Sequence, residues 1–272
     1  MHDTPKPDTP IPDTPLPDTL RLRQICLAAP RLGPVIDDLQ AIFGLQVCHR
    51  DPGLAAYGLQ NALLPVGTDF LEVVAPIQAD TAAGRFIQRS RGHGGYMAIF
   101  QAGNPRQRQA AAAALGVRTA HEIDTPGYQS AQLHPRDCRA AFIELGHSAG
   151  DPARLGSWWP AGPQWQAQVR TEHTLRLLGI LLESPDPAGL AAHWSRILDS
   201  ALVTDARGPV LQIEQAQIGF VAGPADALGT VVMAVADVAA TLQRAVDRGH
   251  RIEGAAFHLA GVYFMVQGEV GG

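Results

Sequence analysis

From residue 20 onward, the apolar positions of the chain fall into short strand-like runs interrupted by single helical stripes. Residues 20–29 form an apolar-rich run that stops at Pro30, as a strand would. Val35, Ile36, Leu39, Ile42 and Phe43 then recur at helical spacing, and Gly44 closes the stripe. Short runs at 45–49, 55–59, 62–65 and 70–74 follow, parted by turn residues. The pattern predicts one strand, one helix, then several strands.

That order returns three times. Residues 95–101 read as a strand, the alanine-rich 105–115 as a helix ended by Gly116, and 117–119, 130–133 and 141–145 as strands. A stretch rich in Gly, Pro and Trp covers 151–165. Beyond it come a strand at 175–182, a helix at 187–198 and strands at 210–213 and 217–221. The fourth unit is a strand at 230–235, a helix at 238–248 ended by Gly249, and a strand at 262–267. Repetition at roughly fifty residues is a fold-level signal. The helices are too frequent for a sandwich and the strands too many per helix for a doubly wound sheet. An α+β repeat fits, with curled sheets carrying helices on one face.

Particular residues give this pattern a family likeness. Arg23-Gln24-Ile25-Cys26-Leu27, a helix, then Phe43-Gly44-Leu45 resembles the opening of a glyoxalase-like module. Phe70-Leu71-Glu72-Val73-Val74-Ala75-Pro76 resembles its closing strand. Leu133-His134-Pro135-Arg136-Asp137, followed by Phe142-Ile143-Glu144-Leu145, is similar to the closing strand of the second module in methylmalonyl-CoA epimerase relatives. Over nearly everything after Leu20 the chain thus resembles the vicinal-oxygen-chelate superfamily of glyoxalases, bleomycin resistance proteins and dioxygenases. The resemblance implies four βαβββ modules paired into two curled-sheet domains. Residues 20–150 would be the first and hold the candidate site, and 172–272 the second, degenerate one. A Trp/Pro/Gly-rich linker at 151–171 would join them.

The resemblance also implies a metal ligand on the first and last strand of each module. The matching positions are Gln24, Glu72, Tyr96 and Glu144. Three carry oxygen groups of the expected kind, and Tyr96 departs from the usual His or Glu. Strand alternation independently puts Leu22, Gln24 and Cys26 on one face, Phe70, Glu72 and Val74 on another, and Phe142 with Glu144. A carboxylate among apolar neighbours is costly to bury alone. Glu72 and Glu144 therefore invite a cation or a shared proton, unless both are solvated or salt-bridged at strand ends. Gln24, Glu72 and Glu144 would suit one divalent ion such as Mg²⁺, Mn²⁺ or Ca²⁺ rather than tight zinc. Without metal, Tyr96, Glu72 and Glu144 could still bind a polar ligand or move a proton as catalytic groups.

His134, Arg136 and Arg85 are candidate substrate-binding residues. An arginine beside a concave site clamps carboxylate or phosphate, and a plain surface ion pair is the alternative. Trp158, Trp159 and Trp165 read as inter-half packing rather than a lid. Gly179 and Gly219 stand in the second half where Gln24 and Glu72 stand in the first, so chemistry is expected within 20–150.

Two functions stay open. One is a metal-dependent isomerase, lyase or epimerase acting on a small oxygen-bearing substrate. The other is a binding protein of the bleomycin-resistance type, holding a small molecule without turnover. The chain has no His-x-x-x-His, Cys-x-x-Cys or Gly-x-Ser-x-Gly, which argues against zinc-protease and α/β-hydrolase chemistry. Extradiol dioxygenases of the family need a His, His, Glu iron set, and neither half supplies one.

Composition narrows the rest. At 272 residues, 46% hydrophobic and 17% charged, the chain can bury a real core. A net charge of -5 argues against a nucleic-acid partner. No run nears the ~18 apolar residues of a membrane span. Cys26, Cys48 and Cys138 are odd in number and scattered, which suits a reducing, cytoplasmic setting. Residues 3–19 read DTPKP DTPIP DTPLP DT, and proline at that density predicts a disordered or polyproline-like tail over 1–19. A small-molecule ligand is the expected partner, and a homodimer is left open.

Overall fold

The computed structural model describes residues 19–150 and 152–269. The expected tail lies outside these residues except for Thr19. The first unit is β1 (Leu20–Ala28), α1 (Leu32–Phe43), β2 (Leu59–Val66) and β3 (Asp69–Pro76). The strand expected at 45–49 is reduced to one bridge between His49 and Leu63. Residues 55–59 were expected to be a strand, but most of them lie in a 3-10 turn, Pro52–Tyr57. The Asp51 side chain accepts from Gly53 N there, and Pro52 needs no donor at the first position, so the turn wins over extension. The apolar pattern also missed a helix, α2 (Ala82–Arg89), which is capped by Thr81 accepting from Gly84 N at 3.0 Å.

The second unit is β4 (Gly95–Ala102), α3 (Pro105–Ala114), β5 (Thr119–Thr125), β6 (Tyr128–Leu133), a single turn α4 (Pro135–Cys138) and β7 (Phe142–Ser148). The third is β8 (Thr174–Ser184), α5 (Pro187–Leu198), β9 (Leu202–Asp205), β10 (Gly208–Ile213) and β11 (Ala216–Ala222). The fourth is β12 (Ala227–Val235), α6 (Val238–Asp247), β13 (Ile252–Glu253), β14 (Ala256–Leu259) and β15 (Val262–Gly268). β9 is exposed along its whole length, so burial imposes no alternation on it and the sequence does not announce it.

Pairing explains how the units associate. In each half the opening strands of two units lie antiparallel, β1 on β4 and β8 on β12. Each opening strand also pairs in parallel with the closing strand of its own unit: β1 with β3, β4 with β7, β8 with β11 and β12 with β15. The two curled sheets meet where Leu228 pairs with Gly95, giving one continuous sheet. The fold is the α+β, glyoxalase-like arrangement of curled sheets with helices outside.

One apolar core runs between the helices and the outer sheet faces of both halves. It includes Ile36, Leu39 and Phe43 of α1, Trp194 and Ile197 of α5, and sheet residues such as Phe100 and Phe264. The halves also cap each other's helix ends, where the last carbonyls have no partner within the helix. Arg244 Nε donates to Ile42 O at 2.7 Å and Thr174 Oγ1 to Phe43 O at 2.8 Å. Arg108 Nη1 donates to Leu198 O at 2.6 Å. Among the described residues no helix is long and apolar enough to cross a membrane.

Candidate active site

Two β-bulges set the contents of the N-terminal cup, the concave face of the first sheet. Leu22 pairs with Phe100 and Gln24 with Ile99, so Arg23 is an extra residue in β1. The bulge breaks the expected alternation. Leu22 joins the helix-side core, whereas Gln24 and Cys26 face the cup. A second bulge, between Cys26↔Met97 and Leu27↔Gly95, makes Tyr96 the extra residue of β4 and turns it inward with Met97. The register also corrects the expected match at Tyr96. Gln24 lies opposite Phe70, two residues before Glu72, and Met97 lies opposite Phe142, two residues before Glu144. The position equivalent to Gln24 is therefore Met97.

Glu72 and Glu144 come from the closing strands of the two units. Glu144 is 5% exposed and Glu72 is half-buried. Among the described residues, every hydrogen bond to them comes from a neutral donor. Asn61 Nδ2 donates to Glu72 Oε1 at 2.7 Å and Gln24 Nε2 to Glu72 Oε2 at 2.8 Å. Tyr128 Oη donates to Glu144 Oε1 and Gln132 Nε2 to Glu144 Oε2, both at 2.9 Å. Loss of hydration raises the proton affinity of both acids above the ordinary carboxylate value. The donors oppose this only in part, and the charge of Glu144 pushes Glu72 further up. The same desolvation, with Glu72 beside it, holds the Cys26 thiol far above its usual range. Tyr96, 8% exposed, is likewise raised and is no phenolate.

Asn61, Tyr128 and Gln132 were not singled out in the sequence. A signal was present: Gln132 lies directly across from Glu144, and Tyr128 shares its face by strand alternation. The expected placing of the tryptophans needs correction. Trp158 and Trp165 are 1% exposed and pack inside the N-terminal cup, while Trp159 stays exposed. Trp158 Nε1 donates to Gln24 Oε1 at 2.8 Å, and its ring meets Tyr128 edge-on at 5.8 Å. One indole thus touches the residue holding Glu72 and the residue holding Glu144. The segment expected only to join the halves fills the first cup.

The other candidates do not enter the cup as a group. His134 was placed at the start of a strand but caps α4, its Nδ1 accepting from Arg136 N at 3.3 Å beside the Arg118–Asp137 ion pair. Proline at 135 ends β6 before that strand could form. Arg136 is exposed. Arg85 is also exposed on α2 and donates to Asp80 O, yet with Arg89 it lies near enough to Tyr96 to offset part of the rise in its proton affinity.

The donor set argues against the expected divalent ion at Gln24, Glu72 and Glu144. Gln24 turns its amide nitrogen, not its oxygen, toward Glu72, and each carboxylate oxygen already accepts from an amide or phenol. The fourth position is the thioether of Met97, a poor partner for hard cations. Among the described residues no three His, Cys, Asp or Glu side chains gather as a metal set.

The second half shows the contrast. By register Gly179 stands at the Gln24 position and Gly219 at the Glu72 position, with Met265 at that of Glu144. The cup of this half keeps a cavity of about 220 Å³ lined by Gly179, Gly219, Val232, Arg207 and Gln217 among others.

This arrangement defines the class of protein at the level of fold, curled-sheet halves each made of paired βαβββ-type units. The chain is similar to a protein of Staphylococcus aureus at 11% identity, covering 92% of this chain and 99% of that one, with a TM-score of 0.63. It is similar to a variant of 4-hydroxymandelate synthase from Streptomyces coelicolor at 14% identity, covering 88% and 78% of the two chains, again at 0.63. A methylmalonyl-CoA epimerase variant from Streptomyces coelicolor, in complex with 2-nitronate-propionyl-CoA, matches 49% of this chain and 99% of its own at 23% identity and a TM-score of 0.44. No family model matches the chain. No curated protein matches it in sequence. At these identities the two likenesses with a TM-score of 0.63 show the fold alone.

Proposed function

We propose that this chain belongs to the vicinal-oxygen-chelate superfamily and transfers a proton on a small oxygen-bearing substrate in its N-terminal cup. Glu72 and Glu144 are the acid–base pair, and Tyr96 is a neutral donor at the rim. The observation that carries this reading is the pair itself. Two carboxyl groups from matching strands share one enclosed cluster, are held among the described residues by neutral donors, and both have raised proton affinity. A carboxyl group whose proton affinity is raised above the ordinary carboxylate value suits both giving and taking a proton. Substrate reaches the pair when the Trp158 segment lifts, because Trp158 stands between Gln24 and Tyr128. The lineage of this reading is the fold shared with 4-hydroxymandelate synthase; the activity is inferred from the site.

Proton transfer is tested without knowing the natural substrate. The protein is incubated in D₂O with a set of small α-substituted carbonyl compounds, and exchange of the α-hydrogen is followed by NMR. Catalysed exchange that is lost in both Glu72→Gln and Glu144→Gln supports the reading. Exchange that survives in both variants overturns the assignment. A second reading is favoured by the filled cup: a small molecule is held without turnover, with the Trp158 segment closing over it. Saturable binding with no exchange in any compound would select it.

A further inference from the structure

Arg23, the bulge residue of β1, is fully buried. Its Nη1 donates to the carbonyls of Thr68 and Arg154, the latter at 2.9 Å. Nε and Nη2 have no hydrogen-bond partner among the described residues. The rings of Phe70, Trp158 and Trp165 surround Cζ at 5.2, 5.6 and 5.4 Å. Ring faces attract a cation but accept little from an N–H. The acids that act on Arg23 are bonded elsewhere. Asp69 pairs with Arg21 at 2.5 Å, and Glu214 pairs with Arg154 at 2.8 Å. Burial, with Arg21 and Arg154 close by, pulls the guanidinium down to about 9, so it is still charged at neutral pH.

Thr68 and Arg154, whose carbonyls receive Nη1, also wall a cleft of about 360 Å³ between the two halves. Arg21 and Asp69 line it from the first half, Arg176 and Glu214 from the second. The hairpin tip before Thr68 can approach β8 because residue 67 is glycine: its φ is +62°, and a Cβ would stand 2.6 Å from Leu175 O. The Arg176 guanidinium has no hydrogen-bond or ion-pair partner among the described residues. Three cations, Arg21, Arg154 and Arg176, thus face two anions, Asp69 and Glu214, and the buried Arg23 behind the Thr68 and Arg154 carbonyls adds a second positive charge to that excess of one. Leu155, Val169, Leu175 and Ile213 make other parts of the lining apolar.

We propose that this inter-half cleft is a ligand site for a small organic dianion, a phosphate monoester or dicarboxylate with an apolar body, gripped by Arg21, Arg154 and Arg176. It is separate from the Glu72–Glu144 cup and stands whether or not that cup is catalytic. Guanidinium groups suit both acid classes because their N–H forks match paired oxygens. The charge excess favours a dianion over a monoanion, and a ligand touching both halves would hold them together.

The test is calorimetric titration of the full chain, at fixed ionic strength, with phenyl phosphate, succinate and, as the monoanion control, benzoate. One dianion per chain should bind saturably, about tenfold or more tighter than benzoate; which of phenyl phosphate and succinate does so identifies the acid class. Arg176→Ala should weaken it about tenfold, and this variant should fold because nothing in the structure leans on that guanidinium. Glu214→Gln removes a competing acid and should tighten binding several-fold, a gain that a merely structural role would not give. Arg207→Ala, which alters only the C-terminal cup, should bind like the parent. No saturation by either dianion up to about 10 mM would overturn the proposal. So would equal losses in Arg176→Ala and Arg207→Ala, or no gain in Glu214→Gln.

Discussion

Trp158 and Gln24, 134 residues apart in the chain, are joined by a 2.8 Å hydrogen bond from the indole N–H to the side-chain carbonyl. The Gln24 amide passes a second bond to Glu72. The inter-half segment is thereby tied to the acid pair it covers, so access to the cup and the state of the acid are one structural problem.

Replacing Trp158 measures that tie. Trp158→Phe keeps a ring in the cup but leaves the Gln24 oxygen unpaired, and should cost about 1–3 kcal/mol in urea denaturation. Trp158→Ala empties the cup, should cost about 3–5 kcal/mol, and should admit an apolar dye. A loss under about 1 kcal/mol in Trp158→Ala would mean that the segment does not pack there in solution.

The acid pair gives stability a definite pH dependence. Both folded-state pKa values lie above the ordinary 4.5. The contribution of each group is therefore fully present below the unfolded pKa and is lost as pH rises through the folded one. Glu72→Gln and Glu144→Gln fix the neutral form, so each variant should lose less stability than the parent between acid and neutral pH. The melting temperature of the three proteins across that range checks it. Parallel curves would mean that the carboxyl groups are ionised at their ordinary pKa in the fold.

The neutral donor set predicts indifference to chelation. Dialysis against EDTA should leave the melting temperature within about one degree, and Mn²⁺ or Mg²⁺ near 1 mM should not raise it. A saturable rise, abolished by Glu144→Gln, would place a cation at Gln24, Glu72 and Glu144 and require the side chains to rearrange around it.

Much of the architecture is written locally. The helical stripe ending in Phe43-Gly44, its counterpart before Gly249 and the strand runs between them follow from apolar spacing and turn residues alone. So does the shared face of Phe70, Glu72 and Val74, because side chains alternate along any regular strand. The same rule fails at Leu22 and Gln24, where the bulge at Arg23 inserts one residue and reverses the parity. A bulge arises from how two strands fit together, and no local pattern in β1 records it.

The sequence by itself determined the repeated unit, the α+β class and the strand faces that Glu72 and Glu144 share with Phe70, Val74 and Phe142, since each depends only on neighbours within a few residues. Tertiary structure decided what those acids meet. Asn61, Gln24, Tyr128 and Gln132 reach them across strand pairs, and Trp158 reaches Gln24 from beyond the second unit. It also decided that Arg21, Arg154 and Arg176 converge on one cleft, with Arg23 buried behind its wall. Those encounters join positions up to 155 residues apart, from Arg21 to Arg176. They depend on how the curled sheets close and dock, through packing and charge that periodicity along the chain does not encode.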